Sequence, residues 1–494
     1  MCMALVGAWF GFANPLLHFP PAILLLPAAL ILTALRATSP GHAFRTGLLT
    51  TLPGYAASLY WLAIPVHDYG NLSWALALPC PVLIGGVLAA YAGAFCAGMH
   101  LVRPRLTHPL ARLLAGLMWA SLELARNHFL TGFSWLTLAS ALAPWPETIG
   151  LAAWVGSFGL SGLLVSISHT LTLGRGWTRL LILPLAGLCL LPGLTRGPVV
   201  PNGLASVTMI QGNIDQSLKW DEAMQNAILQ TYVGLSRAAV AQNVPDLVVW
   251  PETAMPFYFQ DPSDLSTTVR SSVEQLGVPV LAGAPAYSIP TEPGAPQYVL
   301  HNRAYLLNKN GETLSWYDKE HLVPFGEYVP LEKWLPFISK LVPGQFEFRP
   351  GDNTAPLTAG PLAMGLLICY EAIFPELAQK QVERGANVLV NISNDAWFGS
   401  SSAPWQHLHL SILRAVEQNR AIIRGTNTGI SVFIGPDGRL QDPTVLFSSG
   451  IVHNAAIPLL TETTFYHDHF FYIHLTFPLL SLCLLAMLWR KDRK

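Results

Sequence analysis

The stretch Met364-Gly365-Leu366-Leu367-Ile368-Cys369-Tyr370-Glu371 indicates both a fold class and a chemistry. An apolar, strand-like run ends at Cys369, and a helix-like stretch, 374–384, follows. A side chain at such a strand-to-helix turn lies at the rim of a sheet, near helix N–H groups that favour a thiolate. Cys369 is also the only cysteine between residues 203 and 460. It is therefore either an inert, packed thiol, as free cysteines often are, or a nucleophile.

Charged residues are distributed unevenly along the 494 residues. Residues 1–202 contain no lysine, nine arginines and three acids, whereas residues 203–460 have the charge density of a soluble domain. This contrast predicts a membrane domain, 1–200, an inserted soluble domain, 203–460, and a C-terminal transmembrane helix, 469–489. The net charge of −1 averages unlike parts and does not indicate nucleic-acid binding.

Apolar runs of about 20 residues match a bilayer core of roughly 30 Å. We expect about seven transmembrane helices in the membrane domain and an eighth at the C-terminus. The first is short, because Asn14-Pro15 and Pro20-Pro21 interrupt it. The expected spans after it are 22–36, 46–66, 74–99, 109–125, 148–171, 179–195 and 469–489.

Arginines in short loops predict the orientation of these spans. Basic loops at 36–45, 103–112 and 175–179 alternate with loops that are poor in basic residues. Basic loops stay in the cytoplasm. We therefore expect the soluble domain and the loop 126–147 on the outer side of a bacterial inner membrane, which is the periplasm of a Gram-negative cell.

Short β-type runs alternate with helical stretches in the soluble domain. Strands are predicted at 206–210, 247–250, 278–282, 304–307, 364–368, 388–391 and 431–434. Two of them lead into hairpin-like turns, 308–311 and 436–438. Apolar residues at helical spacing predict helices at 221–242 and 405–424. Sheets with helices packed outside them predict an α/β layered sandwich.

Three reactive side chains occupy places where predicted strands end. Glu252 follows one strand, Lys319 lies in the charged run 316–321, and Cys369 ends another strand. A base, a cation for an oxyanion and a nucleophile are sufficient for acyl transfer. Each residue also has an ordinary interpretation, because such an acid often caps a turn and such a lysine is often solvated. Spacing alone does not place the three side chains together.

The motifs around these positions resemble a known superfamily. Trp250-Pro251-Glu252, the run 318–327 and Cys369-Tyr370-Glu371 are similar, in chain order, to the Glu–Lys–Cys signatures of the nitrilase superfamily. The runs 325–330 and 393–399 resemble those of the bacterial apolipoprotein N-acyltransferase family. This resemblance covers essentially the whole chain. It implies a polytopic α-helical membrane protein with an inserted α/β nitrilase-like domain, an αββα sandwich.

The resemblance also implies a two-step reaction. Glu252 would deprotonate Cys369, which attacks the sn-1 ester of a phospholipid, commonly phosphatidylethanolamine. The thioester would then acylate the N-terminal amine of a diacylglyceryl-cysteine on an apolipoprotein. Lys319 would stabilise the oxyanion.

Further residues gain roles by the same resemblance. Glu327 and Glu371 would hold Lys319 and the pocket in place, and Tyr370 would line the pocket. The expected partners are the phospholipid donor, diacylated apolipoproteins and the membrane, with no nucleic acid, and the protein is expected to be a monomer. No cofactor or metal is expected, since His407 and His409 lie on different faces of a helix.

Apolar and aromatic side chains predict where lipid binds. The run 333–343 is apolar, aromatic and broken by prolines. We interpret it as an arm that touches lipid, and the alternative is a buried core loop. The candidate lipid-binding residues are Trp220, Trp334, Phe337, Ile338, Trp397 and Phe398.

Two alternative functions remain open at this point. A membrane-tethered amidase of the nitrilase family would use the same three residues, with water resolving the acyl-enzyme. A non-enzymatic lipoprotein carrier would leave Cys369 merely buried. A carrier would place functional ionisable residues in its spans, where Glu123 is the main candidate.

Overall fold

A computed structural model describes residues 1–197, 199–290, 297–328 and 348–490. The chain divides into two compact units. The first comprises Met1–Pro198, Ser401–Gln418 and Thr463–Lys494. The second comprises Val199–Ser400 and Asn419–Glu462.

Helices are numbered in chain order over the described residues. They are α1 (Cys2–Gly11), α2 (Leu25–Arg36), α3 (Pro40–Ser58), α4 (Ala63–Asp68), α5 (Trp74–Ala77), α6 (Pro79–Leu101), α7 (Pro109–His128), α8 (Pro146–Ile149), α9 (Ala152–Leu173), α10 (Ile182–Leu194), α11 (Glu222–Gln242), α12 (Asp264–Leu276), α13 (Pro375–Glu383), α14 (Ala403–Gln418), α15 (Phe465–Asp468) and α16 (Phe470–Arg490).

Among the described residues, four helical segments are long and apolar enough to cross a membrane. They are Trp74–Leu101, Ala152–Leu173, Gly176–Leu194 and Phe470–Trp489. These segments coincide with four of the predicted spans. The shorter apolar helical segments Cys2–Gly11 and Pro20–Arg36 lie where the first two spans are expected.

The prediction of one continuous helix over 46–66 is wrong. Helix α3 ends at Ser58, and a 3₁₀ turn, Tyr60–Leu62, separates it from α4. Proline at position 65 lies in the first turn of α4, where its missing N–H would have no partner within the helix and is tolerated. Helix α7 does form where a span is predicted, and it carries Arg112, Glu123 and Arg126.

Helix α14 packs within the first unit, and the buried Gln406 side chain holds it there. The Gln406 Oε1 atom accepts hydrogen bonds from the indole N–H groups of Trp61 (3.0 Å) and Trp135 (2.8 Å). Its Nε2 atom donates to the backbone oxygens of Ala13 (3.0 Å) and Ser58 (3.1 Å). One amide thus joins α14 to several separate segments of the first unit.

The predicted helix over 405–424 is wrong at its C-terminal end. Helix α14 stops at Gln418, Asn419 takes a left-handed φ of 50°, and Ile422–Thr426 is a strand. The β-branched pair Ile422-Ile423 favours a strand at this point. Both hairpin predictions are confirmed, with Gly311 and Gly438 at positive φ in the turns.

The second unit contains two six-stranded sheets among its described residues. The strands are β1 (Gly203–Gln211), β2 (Leu247–Val249), β3 (Val280–Ser288), β4 (Val299–Leu307), β5 (Thr313–Asp318), β6 (Leu357–Ala359), β7 (Leu362–Ile368), β8 (Val388–Ser393), β9 (Ile422–Thr426), β10 (Val432–Ile434), β11 (Leu440–Gln441) and β12 (Gly450–Leu459). One sheet has the order β12-β1-β2-β3-β4-β5, and the other has β11-β10-β9-β8-β7-β6. In each sheet three central strands are parallel, namely β1-β2-β3 and β7-β8-β9.

The apolar core of the second unit lies between the two sheets. Val207, Met209 and Val249 of the first sheet share one buried cluster with Leu366 and Ile392 of the second. A second cluster joins the other face of the first sheet to helices α11 and α12. Helix α13 contacts β7 of the second sheet. The unit is therefore the predicted layered sandwich of sheets with helices outside, and β2, β5 and β7 end at the turns that carry the candidate catalytic residues.

Candidate active site

The three reactive side chains predicted from sequence come together at strand ends of the second unit. Glu252 follows β2, Lys319 follows β5 and Cys369 follows β7, and all three are buried. The Lys319 Nζ atom lies 4.0 Å from Glu252 Oε1. Both charges act on the pKa of the Cys369 thiol. A carboxylate, an ammonium and a thiol thus share one buried site.

Cys369 lies in a strained turn at the end of β7. Its φ of 51° is in the left-handed region, which non-glycine residues rarely adopt. A 3₁₀ turn, Cys369–Ile373, starts there and leads into α13. The Asn391 Nδ2 atom donates to the backbone oxygen of Leu367 at 2.7 Å and lies 3.4 Å from that of Cys369. This amide supports the strained backbone from the neighbouring strand.

The prediction that this turn favours a resting thiolate is wrong. Burial raises the pKa of the Cys369 thiol, the Glu252 carboxylate raises it further, and Lys319 acts to lower it. Burial also raises the pKa of Glu252, with Lys319 opposing. A raised pKa makes the Glu252 carboxylate a stronger base, which suits it to general base catalysis.

Amide groups hold the Glu252 carboxylate in one orientation. Its Oε1 atom accepts from Asn302 Nδ2 at 2.7 Å, and its Oε2 atom accepts from the Asn394 backbone N–H at 2.9 Å. The backbone approaches Gly283 so closely that a Cβ there would lie 2.7 Å from Glu252 Cα. Only glycine therefore fits at that position without a shift of the turn.

A second lysine, which the sequence analysis missed, supports the same turn. The buried Lys219 Nζ atom donates to the backbone oxygen of Glu252 at 3.1 Å. Burial lowers the pKa of Lys219 to about 8, although the charges of Glu252 and Cys369 act to raise it. Its sequence neighbour Trp220 is the only signal that pointed to this segment.

The Lys319 ammonium is held by a carboxylate of its own. Its Nζ atom donates to Glu327 Oε1 at 2.9 Å, and Asn302 Nδ2 donates to that oxygen at 3.0 Å. Burial acts to lower the pKa of Lys319, but the Glu327 and Glu252 carboxylates outweigh it and raise the pKa. Lys319 is therefore a cation in the resting site.

Glu371 joins the loop that carries Lys319 to the turn that carries Cys369. The carboxylate is fully buried and accepts from the backbone N–H groups of Glu320 (2.7 Å), His321 (3.0 Å) and Ile368 (2.6 Å). The Tyr317 hydroxyl lies 3.1 Å from both of its oxygens. Burial raises the pKa of Glu371 to about 7.

A polar network that sequence reasoning also missed lies in the second sheet beside Cys369. The Ser393 hydroxyl donates to Asp395 Oδ1 at 2.9 Å, and Arg424 Nη2 lies 2.9 Å from Asp395 Oδ2. A hydrogen bond from Ser393 acts to lower the pKa of Cys369. The run 393–399 was noted only for its resemblance, and its polar residues inside a buried strand were the available signal.

The predicted pocket and lipid residues have different surroundings. Tyr370 is buried and packs edge-on against Phe374, with ring centroids 5.1 Å apart. Trp220 is 53% exposed, and Trp397 and Phe398 are partly buried. Trp334, Phe337 and Ile338 lie outside the described residues. Among the described residues, no group of three or more His, Cys, Asp or Glu side chains could hold a metal ion.

Comparison with known proteins identifies the family. Residues 206–459 match the carbon-nitrogen hydrolase family, and residues 6–170 match the apolipoprotein N-acyltransferase N-terminal domain. The apolipoprotein N-acyltransferase of Geobacter metallireducens is 37% identical, over 89% of this chain and 85% of the relative. The chain belongs to the apolipoprotein N-acyltransferase family. The family member from Nitrosomonas europaea is 32% identical over 96% of this chain and 94% of its own.

A solved structure is a more distant match. An amidase from Nesterenkonia sp. aligns with 57% of this chain and 98% of its own, at 19% identity and a TM-score of 0.40. The family membership confirms the resemblance predicted from the motifs around Glu252, Lys319 and Cys369.

Proposed function

We propose that this protein transfers an acyl chain from the sn-1 position of a phospholipid to apolipoproteins. The acceptor is the N-terminal amine of their diacylglyceryl-cysteine, and the intermediate is a thioester on Cys369. The relatives are named apolipoprotein N-acyltransferases, and this protein is an acyltransferase of that family. The observation that carries the mechanism is the buried group of Glu252, Lys319 and Cys369, with the cation 4.0 Å from the carboxylate.

The first half-reaction forms the thioester. Glu252 takes the thiol proton of Cys369, and the sulfur attacks the ester carbonyl carbon. Lys319 stabilises the negative oxygen of the tetrahedral intermediate, where a preorganised cation in a dry site is most effective. The ester C–O bond then breaks, and Glu252 returns the proton to the leaving lysophospholipid.

The second half-reaction forms the amide. The lipoprotein amine attacks the thioester carbon and gives its proton to Glu252. The C–S bond breaks, and the sulfur of Cys369 receives that proton. A thioester is reactive enough to acylate an amine, whereas the amide product does not readily revert.

The surrounding groups act through these three residues. Glu327 orients the ammonium of Lys319, since it accepts a 2.9 Å hydrogen bond from Nζ. Glu371 holds the loop of Lys319 against the turn of Cys369 through backbone N–H groups. Tyr370 lines the pocket beside the nucleophile.

The proposed setting is a bacterial inner membrane. Residues 1–200 and 469–489 would form a polytopic membrane domain, and residues 203–460 would form the catalytic domain on the periplasmic side. The apolar helices support membrane association. We propose that a monomer takes phosphatidylethanolamine as its usual donor, and that Trp220, Trp397, Phe398 and the arm with Trp334, Phe337 and Ile338 contact lipid.

The test is single-turnover labelling of the purified protein with acyl-labelled phospholipid. We expect acid-stable, hydroxylamine-sensitive label on the wild type and none on Cys369→Ser, because a hydroxyl ionises far less readily than a thiol of reference pKa about 8.5. A diacylated peptide should then take up the label as an amide. Label lost to water at the same rate with and without the peptide would indicate an amidase-like hydrolase, and an unlabelled wild type would indicate a carrier.

A further inference from the structure

Two buried polar side chains in the second sheet lie in one row with the strand that carries the nucleophile. Leu367 of β7, Asn391 of β8 and Arg424 of β9 are in register across the three parallel strands. The residue before each of them belongs to the apolar cluster between the sheets. Because side chains alternate along a strand, Asn391 and Arg424 lie on the opposite face of the sheet. The mechanism above gives neither of them a role.

A charged side chain is an unusual choice for a fully buried position. The Arg424 side chain is buried, and its Nη2 atom lies 2.9 Å from Oδ2 of the equally buried Asp395. Replacing such an ion pair with apolar residues of similar volume is often neutral or stabilising. Stability alone therefore does not account for this pair. A need to hold neighbouring groups in one arrangement does.

Arg424 fixes the orientation of the Asn391 amide. Its Nη1 atom donates to Asn391 Oδ1. A guanidinium only donates, so the amide cannot be reversed, and its Nδ2 atom faces β7. There it donates to the backbone oxygen of Leu367 at 2.7 Å and lies 3.4 Å from that of Cys369. One amide nitrogen thus contacts a peptide unit before the nucleophile and another after it.

These two peptide units determine where the thiol of Cys369 lies. The left-handed φ of 51° at Cys369 persists only if the surroundings hold it. In the first unit, the N–H of Ile368 is also held, by Glu371 Oε2 at 2.6 Å. In the second unit, a fixed carbonyl directs the Tyr370 N–H to the opposite side, because the peptide is trans. A shift of either unit would move the sulfur relative to Lys319.

We propose that Arg424 and Asn391 are positioning residues for the acyl transfer at Cys369. Arg424 acts through Asn391, which keeps the turn of Cys369 in the conformation that attacks the ester carbonyl. Asp395 holds the guanidinium in place and balances its charge. The inference rests on the proposed function, because it concerns the same nucleophile.

The charge of Arg424 and its geometry can be tested separately. The Asp395 carboxylate acts to raise the pKa of the Cys369 thiol, so loss of the balancing cation would shift alkylation by iodoacetamide to higher pH. Arg424→Lys keeps a cation beside Asp395 but loses the planar fork that reaches both Asp395 and Asn391. We expect this variant to form the thioester from acyl-labelled phospholipid about tenfold more slowly. The pH profile of its alkylation should stay nearly unchanged.

A double-mutant cycle tests whether Arg424 acts through Asn391. Asn391→Ala should slow thioester formation about ten- to hundredfold, because it removes the donor to the turn. A variant with both substitutions should be no slower than Asn391→Ala alone. Arg420→Lys is the matched control. Arg420 is buried two positions before β9, donates to the backbone oxygens of Ala386 (2.8 Å) and Glu462 (2.6 Å), and its substitution should leave the thioester rate at the wild-type value.

Three results would overturn the inference. Losses that multiply in the double variant would show that the two side chains act independently. Alkylation that changes in parallel with thioester formation in Arg424→Lys would show that the whole site has rearranged. Wild-type thioester rates in both single variants would show that the turn needs no such support.

A second substitution keeps the inference falsifiable if Asn391→Ala does not fold. Asn391→Asp retains an acceptor for Arg424 and removes only the donors to the turn. Its thioester rate should fall by the same ten- to hundredfold, and an unchanged rate would count against the inference. A wild type that forms no thioester with phospholipid would instead overturn the proposed function.

Discussion

Replacing Glu371 with glutamine should uncouple the two loops of the catalytic site while keeping its shape. The carboxylate accepts from three backbone N–H groups, those of Glu320, His321 and Ile368. A glutamine has one oxygen, and its amide nitrogen only donates. If the oxygen faces Glu320 and His321, the amide nitrogen meets the N–H of Ile368, one residue before the nucleophile. At least one buried N–H therefore loses its acceptor in either orientation.

The expected cost follows from that one unsatisfied donor. A buried N–H without an acceptor costs about 1–3 kcal/mol. If the turn of Cys369 moves so that this N–H finds another acceptor, the same energy is added to the activation barrier, and the rate falls about 5- to 150-fold. The rate and the stability of Glu371→Gln should both fall within these ranges.

Two measurements on the purified protein test this reasoning. Single-turnover thioester formation reports the barrier, and thermal unfolding in detergent reports the stability. The control is Glu312→Gln, which changes an exposed carboxylate that accepts from Asn308 in a turn of the same unit, and it should change neither value appreciably. A thioester rate equal to wild type in Glu371→Gln would refute the inferred coupling.

Three further predictions concern charge and orientation. The Glu252 carboxylate raises the pKa of Cys369, and Lys319 lowers it. The pH at which iodoacetamide alkylates Cys369 should therefore shift downward in Glu252→Gln and upward in Lys319→Met. Shifts of the opposite sign would contradict the assigned electrostatics. Lys219→Met should slow thioester formation, since it removes the donor 3.1 Å from the Glu252 backbone oxygen, and an unchanged rate would show that the turn needs no such support. A reporter fused at Gly311 should respond as periplasmic, and a cytoplasmic response would overturn the proposed orientation.

The sequence predicted the reactive residues better than their supports. Glu252, Lys319 and Cys369 could be found because each lies near the end of a predicted strand and within a motif that resembles the nitrilase superfamily, although spacing alone did not place them together. Asn302 could not be found in this way. It lies in the middle of β4, fifty positions from Glu252, and approaches that carboxylate only because β4 pairs with β3 in the folded sheet.

The same limit applies to helix α14. Periodic apolar residues predict that a helix forms there. They do not predict which of the two units buries its apolar face. The contacts of Gln406 with Trp61 and Trp135 depend on segments hundreds of positions earlier, which periodicity does not report. The strand Ile422–Thr426 was missed, although the polar run 417–420 separates it from the apolar positions of α14.

Helix α14 belongs to the first unit although its sequence lies within that of the second. Two cuts in the gene therefore cannot release the second unit intact. The chain leaves the second unit at Ser401 and returns to it at Asn419. A fragment of residues 199–462 would retain α14 but lack Trp61, Trp135 and the other groups that cover it. Its exposed apolar face would invite aggregation. Soluble production of the catalytic part therefore requires either redesign of this helix or a short linker in its place.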